Sequence, residues 1–263
     1  MCGAELKALP EGVQKVAAFL LDAGHAHPPV MLDDAARTAQ QAADALGVAV
    51  GQIAKSIVFR RKFDDAAVLV VTSGDQRVDE RKLEALGWVC PDGKRLGRAD
   101  AAFVKDKTGF SIGGVSPVAH ATPAVTVIDA SLLRFDVIWA AAGHPHAVFQ
   151  LAPHDLQRLT GAPVVDVAVD PAQERIALQN AIDLVANKAI EIKATGTMAS
   201  PCISVCRMTR LKGVADELCG GCFRTRDELV AWGSATDDTR RDVWRRIEQR
   251  MAVLAAAMSA GTA

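Results

Sequence analysis

Four cysteines toward the C-terminal end have the spacing of metal ligands: Cys202-x3-Cys206-x12-Cys219-x2-Cys222. Thiolates so arranged bind zinc or an iron–sulfur cluster, and Gly220-Gly221 permits the tight turn from Cys219 to Cys222. In a reducing compartment this pattern favours metal over disulfides. Cys2 and Cys90 have no cysteine neighbour in sequence and are expected to be inert. A second concentration of chemistry is Gly109-Phe110-Ser111-Ile112-Gly113-Gly114-Val115-Ser116-Pro117. Glycine permits positive φ and close approach, and proline stops a helix, so this stretch predicts a rigid loop presenting backbone N–H groups to an anion or a developing oxyanion. A tight turn between buried strands is the plainer reading of the same residues. Lys55 opens an apolar strand pattern; held there it is a phosphate or carbonyl contact, and otherwise a solvated charge.

The loop also spells Gly109-x-Ser111-x-Gly113, followed by Asp129 or Asp136 and then His144, the order of a hydrolase triad. A nucleophile elbow needs a strand before the serine and a helix after it. Gly113, Gly114 and Pro117 stand where that helix would begin, so the backbone reading is preferred. His25 and His27 lack a third ligand nearby and read as surface residues.

These residues need elements to hold them. Val13, Val16, Ala17 and Leu20 recur at helical spacing up to Gly24. Thr38-Ala39-Gln40-Gln41 predicts a capping box, and Gly47 the left-handed end of that helix. Ser56–Phe59 and Ala67–Val71 read as a strand pair turning near Asp64-Asp65, which places Lys55 at a strand start. A short helix follows over Asp79–Leu86. Ala124–Ile128, Val137–Ala142, Ala147–Leu151 and Val164–Val169 read as strands, with Pro153–Leu159 a helix begun by proline. Strands with interspersed helices up to about residue 170 predict one mixed α/β domain. Asp170-Pro171-Ala172-Gln173 starts a helix to about Lys188, and the uncharged stretch 195–201 reads as a linker. The expected organisation is a domain over 1–169, a helix and linker over 170–198, and a cysteine domain over 199–263.

Beyond these patterns, residues 13–168 resemble the YbaK/prolyl-tRNA synthetase editing-domain family, freestanding hydrolases that remove wrong amino acids from tRNA. The resemblance rests on Thr38 with Ala42-Ala43 and Leu46-Gly47, on Gln52 to Phe59, on Ser73-Gly74-Asp75, and on Thr108-Gly109 leading to Gly113–Pro117. Ile128-Asp129 and Ala142-Gly143 complete it. It implies a mixed, barrel-like sheet with helices around it, and aminoacyl-tRNA deacylation. The implied catalytic residues are Lys55, Gly113 and Gly114; Ser56, Val115, Ser116, Pro117, Asp129, Gly143 and His144 would contact substrate. The family is thought to recruit the substrate itself to activate the nucleophile, so no cofactor is expected at this site. The implied partners are aminoacyl-tRNA and an aminoacyl-tRNA synthetase. Residues 199–250 resemble a small bacterial four-cysteine domain of unknown function, often regarded as an iron–sulfur protein. A tRNA-binding adaptor without catalysis, carrying a metal-sensing domain, is the competing functional reading.

Composition bounds both. The chain has 263 residues, half of them hydrophobic, which suffices for one large domain or two smaller ones. A net charge of −1 excludes a broadly basic nucleic-acid coat but allows a local basic patch, and Lys55 to Lys107 carries a modest excess of Lys and Arg. Arg240, Arg241, Arg245, Arg246 and Arg250 fall on a C-terminal helix whose default reading is a solvated face. No apolar run is long enough to cross a membrane, and Met1 to Lys7 lacks the order of a signal peptide, so a cytoplasmic protein is expected.

Overall fold

The computed structural model describes residues 9–36, 38–205, 208–211 and 214–260. They form two compact units divided between Val169 and Asp170. The first contains α1 (Glu11–Asp22), β1 (Val30–Met31), α2 (Ala39–Leu46), β2 (Ile53–Arg61), β3 (Ala66–Ser73), α3 (Glu80–Glu84), β4 (Gly97–Arg98) and α4 (Ala101–Thr108). It continues with β5 (Val125–Asp129), β6 (Ile138–Ala141), β7 (Ala147–Leu151), α5 (Pro153–Thr160) and β8 (Val164–Val165).

These strands make one mixed sheet in the order β1-β7-β6-β2-β3-β5-β8, with β4 added to β2. β2 and β3 form the expected antiparallel pair, in register from Ala54↔Ser73 to Arg61↔Ala66. Asp65 takes the left-handed conformation in the turn between them. β3 is covered on both faces, which is why it reads as a continuous apolar run rather than an alternating one. Leu69 and Val71 pack with Val13, Val16 and Leu20 of α1, Phe110 and Phe149, while Val68 and Val70 pack with Leu83, Val89, Val127 and Val167. Each such fully buried side chain contributes about 1.5–3 kcal/mol. Local signals hold up well here. Thr38 caps α2, its hydroxyl accepting from Gln41 N–H (3.2 Å) while Gln41 Oε1 accepts from Thr38 N–H (3.1 Å).

The second unit contains α6 (Pro171–Thr195), β9 (Met208–Arg210), β10 (Glu217–Cys219), α7 (Arg226–Ala231) and α8 (Asp237–Ala260). Asp170 caps α6 through the N–H groups of Ala172 and Gln173, and the helix runs seven residues past Lys188 until Gly196 supplies its left-handed end. Ala181, Ile182, Val185, Ala189 and Ile192 of α6 share one core with Phe223 and with Val243, Trp244, Ile247, Met251 and Leu254 of α8. The stretch 195–201 therefore lies inside the second unit, and the division between units falls at the start of α6. Among the described residues no helix is long and apolar enough to cross a membrane.

Candidate functional site

One cavity of the first unit lies at a gap in its sheet. β6 runs parallel to β2 but pairs with it only at Ile53↔Trp139 and Ala54↔Ala140. β4 takes the same edge of β2 further along, at Phe59↔Arg98 and Arg60↔Gly97. Between those contacts β2 has, among the described residues, a strand neighbour only on its β3 side. The space left open is a cavity of about 410 Å³, lined by every residue of β2 from Ile53 to Val58 and by Ile112, Gly113, Val115 and His144. Thr38, Ala39 and Ala42 of α2, Trp139 of β6 and Pro145 complete its wall.

Lys55 is held rather than solvated. Its Nζ donates to Gly74 O (3.1 Å) and Gln76 O (2.6 Å), leaving one of its three ammonium protons for a ligand. Burial pushes its pKa below the ordinary lysine value, and the nearby Asp75 charge only partly opposes this. The carbonyls that grip Lys55 are themselves fixed. Buried Ser73 donates to Gly51 O (2.5 Å) and shares its hydroxyl with Asp75 (2.8 Å), and Arg134 donates to both Ser73 (2.8 Å) and Asp75. Burial alone would raise the Asp75 carboxyl; the hydrogen bonds from Ser73 and Arg134 outweigh it and hold the group ionised below the usual range. Ser56, next to Lys55, has a buried hydroxyl with no partner among the described residues.

The glycine loop is anchored at both ends. Gly109 closes α4 in the left-handed conformation, Phe110 is buried, and Thr108 Oγ1 accepts from Phe110 N–H (3.1 Å). At the other end His120 Nε2 donates to Ser116 O (2.7 Å), and burial lowers the imidazole's pKa, keeping it neutral. Gly113 sits at φ +92°, where a side chain would be strained. Gly114 serves a different need: a Cβ there would lie 2.7–2.9 Å from the His144 backbone. Its N–H is also spent on Ser111 O (3.0 Å). The N–H groups of Gly113 and Val115, by contrast, have no acceptor among the described residues, and both residues line the cavity. His144 Nδ1 accepts from His146 N–H (3.2 Å), so the neutral ring carries its proton on Nε2.

In the second unit Cys219 and Cys222 are buried and Cys202 is partly exposed, while Cys206 lies outside the described residues, as does Cys2. Among the described residues no group of three or more His, Cys, Asp or Glu is placed to hold a metal ion. Gly221 allows the turn between Cys219 and Cys222 to lie against Ile203 and Val205, where a Cβ would be 2.6 Å from Val205 O. The neighbouring charge is informative. Arg224 is 4% exposed, stacks on Trp232 at 4.9 Å and donates through Nε to Cys222 Sγ (3.3 Å), without a carboxylate partner among the described residues. A buried cation needs an anion, and here the atom facing it is sulfur. Burial raises the Cys222 thiol, and the Arg224 guanidinium opposes that.

Residues 33–159 match the aminoacyl-tRNA editing domain. YwhH, an uncharacterized protein of Bacillus subtilis (strain 168), is 32% identical over 135 residues, covering 51% of this chain and 82% of that protein. The chain belongs to the aminoacyl-tRNA editing-domain family. A candidate trans-editing enzyme for prolyl tRNA synthetase superposes with a TM-score of 0.54 at 38% identity, covering 62% of this chain and all of that one. A hypothetical protein, APE2540, gives 0.54 at 30% identity, covering 59% and 99%. Residues 200–251 match a family of proteins of unknown function, DUF1289.

Within the editing domain, Lys55, Ser56, Gly113, Val115 and His144 converge on one cavity. Other residues expected at the site support it from outside. Asp129 is fully buried; its Oδ1 accepts from Ser131 N–H and hydroxyl and its Oδ2 from Val167 N–H (3.0 Å), which leaves it no role toward substrate. Gly114, Ser116, Pro117 and Gly143 do not line the cavity; Gly143, at φ +84°, sets the turn that presents His144. Ser111 is exposed and follows α4 rather than a strand, so no nucleophile elbow forms. Sequence reasoning missed the Ser73–Asp75–Arg134 network, although Ser73-Gly74-Asp75 had already marked the loop. It also missed α4, which Asp100 caps through Phe103 N–H (2.8 Å) and Gly109 ends.

Proposed function

We propose that the editing domain is an aminoacyl-tRNA deacylase acting in trans on mischarged tRNA, with aminoacyl-tRNA and an aminoacyl-tRNA synthetase as partners. One observation carries this reading: a fixed Lys55 ammonium and the unpaired N–H groups of Gly113 and Val115 belong to residues that line one cavity. In the reaction water adds to the ester carbonyl, and the carbonyl oxygen takes the negative charge. Donors already aligned at that oxygen need no reorganisation, and each such donor contributes about 2.7–4 kcal/mol. Collapse of the adduct expels the terminal ribose oxygen, which takes up a proton. The free amino acid leaves as its carboxylate, its acidic proton released to solvent. Lys55 holds the terminal phosphate or the carbonyl side. His144, with its proton on Nε2, is a donor to the ribose or the leaving oxygen. The water's proton passes through the substrate's own ribose hydroxyl to the departing ribose oxygen, in keeping with a cavity whose described lining holds no carboxylate. The test is a panel of mischarged tRNAs with ester loss measured for each: hydrolysis of at least one over the spontaneous rate supports the reading, and stability of all of them defeats it.

We further propose that Cys202, Cys206, Cys219 and Cys222 hold zinc or an iron–sulfur cluster. The buried Arg224 facing Cys222 suits an anionic thiolate centre and not four neutral thiols. Such a centre would staple the loops of a small unit. No step of the deacylation is assigned to it.

A further inference from the structure

β2 lines the cavity from Ile53 to Val58 without a gap. Successive residues of a strand point to opposite faces of a sheet, so an unbroken run of lining residues means that the cavity meets the strand's edge. In the antiparallel ladder with β3, alternate residues of β2 turn both N–H and C=O toward β3, and the others turn both away. β6 uses the outer edge only up to Ala54, and β4 only from Phe59 onward. Either Ser56 or Ile57 must therefore turn its N–H and C=O together into the open edge. Neither residue has another backbone or side-chain partner for those groups among the described residues. Main-chain groups of a strand are normally paired, and one complete unpaired rung lining a ligand-sized cavity is a binding site in its own right.

We propose that this free rung of β2 binds the α-aminoacyl group of the substrate as a one-residue antiparallel strand. The inference rests on the deacylase reading and adds to it how the amino acid is recognised. An aminoacyl ester carries the same N–Cα–C=O sequence as a residue in a strand. Its ammonium donates to the rung's C=O, and its ester carbonyl accepts from the rung's N–H. Recognition of this kind is blind to the side chain, which is left to the apolar wall formed by Ile53, Val58, Val115 and Trp139. It discriminates against acyl groups that lack an α-amino nitrogen, because such a ligand covers the rung's C=O without supplying it a donor. It also supplies the carbonyl oxygen with a donor from the sheet, in the same cavity that Gly113 and Val115 line.

The test uses the full chain and 3′-(L-alanylamido)-3′-deoxyadenosine, whose amide replaces the labile ester. Amide exchange is followed by NMR. The amide of Ser56 or Ile57 should exchange rapidly in the free protein and slow about tenfold or more at saturation, together with shifts at Gly113 and Val115. The propionyl analogue, which lacks the amino group, should bind about ten- to hundredfold more weakly. Binding of the alanyl compound with unchanged exchange at both β2 amides, or equal binding of the two compounds, would overturn the rung and leave the deacylase reading standing. Failure of the alanyl compound to bind a chain that still deacylates tRNA would do the same. No binding and no deacylation would bring down both.

Discussion

At Lys55 two effects oppose each other, and burial wins: the ammonium is pushed below its ordinary value of 10.5 despite Asp75 nearby. Its charge is then lost at a lower pH than a surface lysine's. Binding of the non-hydrolysable alanyl analogue should weaken as pH rises, first as the ligand's own ammonium titrates at about 8 and again as Lys55 loses its charge under 10.5; Lys55→Arg should keep the first limb and lose the second, because a guanidinium stays charged. The glycine loop gives a second test. Ser111→Ala should leave deacylation within about twofold of the parent, since the hydroxyl is exposed and joins no triad. Gly114→Val should be severe, losing about a hundredfold or more, because its side chain would have to displace the His144 backbone. Covalent labelling of Ser111 by a fluorophosphonate, with activity lost in the alanine variant, would reverse that assignment. The lysine was legible in sequence as a strand-start cation; that it is held by Gly74 and Gln76 was not, because those partners lie across a hairpin.

Among the elements, legibility followed locality. The capping box at Thr38, the hairpin turn at Asp65 and the proline start of α5 are each set by neighbours within a few residues, and each stands as read. β1 and β4, two residues each, have too little pattern to announce themselves. The gap that makes the site was the least legible feature, because it depends on β6 pairing with β2 across some 85 residues and then parting from it. Of the α8 arginines, Arg241, Arg245 and Arg246 are exposed, as a solvated face implies, while Arg250 is drawn inward. Arg240, Arg241 and Arg245 pair with Asp237, Asp238 and Asp242, and Arg246 and Arg250 converge on Glu228. Burial would raise the Glu228 carboxyl, yet the Arg250 and Thr225 hydrogen bonds hold it below its ordinary value. A depressed carboxyl contributes stability above its unfolded pKa of about 4.3 and loses it as pH falls through the folded one. Glu228→Gln should lower the second unit's stability by about 1.5–3 kcal/mol at neutral pH and flatten its acid limb, as measured by denaturant melts. An unchanged acid limb would mean that the cluster is merely solvated.

For the whole chain, the division before α6 decides where it can be cut. Residues 1–169 should fold and deacylate alone, whereas a cut at 198 would strand α6 with Val185, Ala189 and Ile192 bared to water. We expect the shorter fragment to be monomeric and the longer one to aggregate, as scattering would register. Metal should follow 170–263: anaerobic preparations of that fragment should carry zinc or iron in proportion to protein, and Cys219→Ser with Cys222→Ser should lose it. Carefully reduced protein with neither metal would remove the four-cysteine centre and leave Arg224 without its anion. The central claim is that Lys55 and the glycine loop together make a deacylase. Its most direct measurement is single-turnover ester loss from the best mischarged tRNA of the panel, with the parent and Lys55→Ala compared side by side. Removing a charged contact of about 1.5–3 kcal/mol predicts a ten- to hundredfold slower rate in a variant that stays folded at the assay temperature, with a melt lowered only by the loss of the Gly74 and Gln76 hydrogen bonds. Equal rates in the two proteins would contradict the account, placing the chemistry away from this cavity.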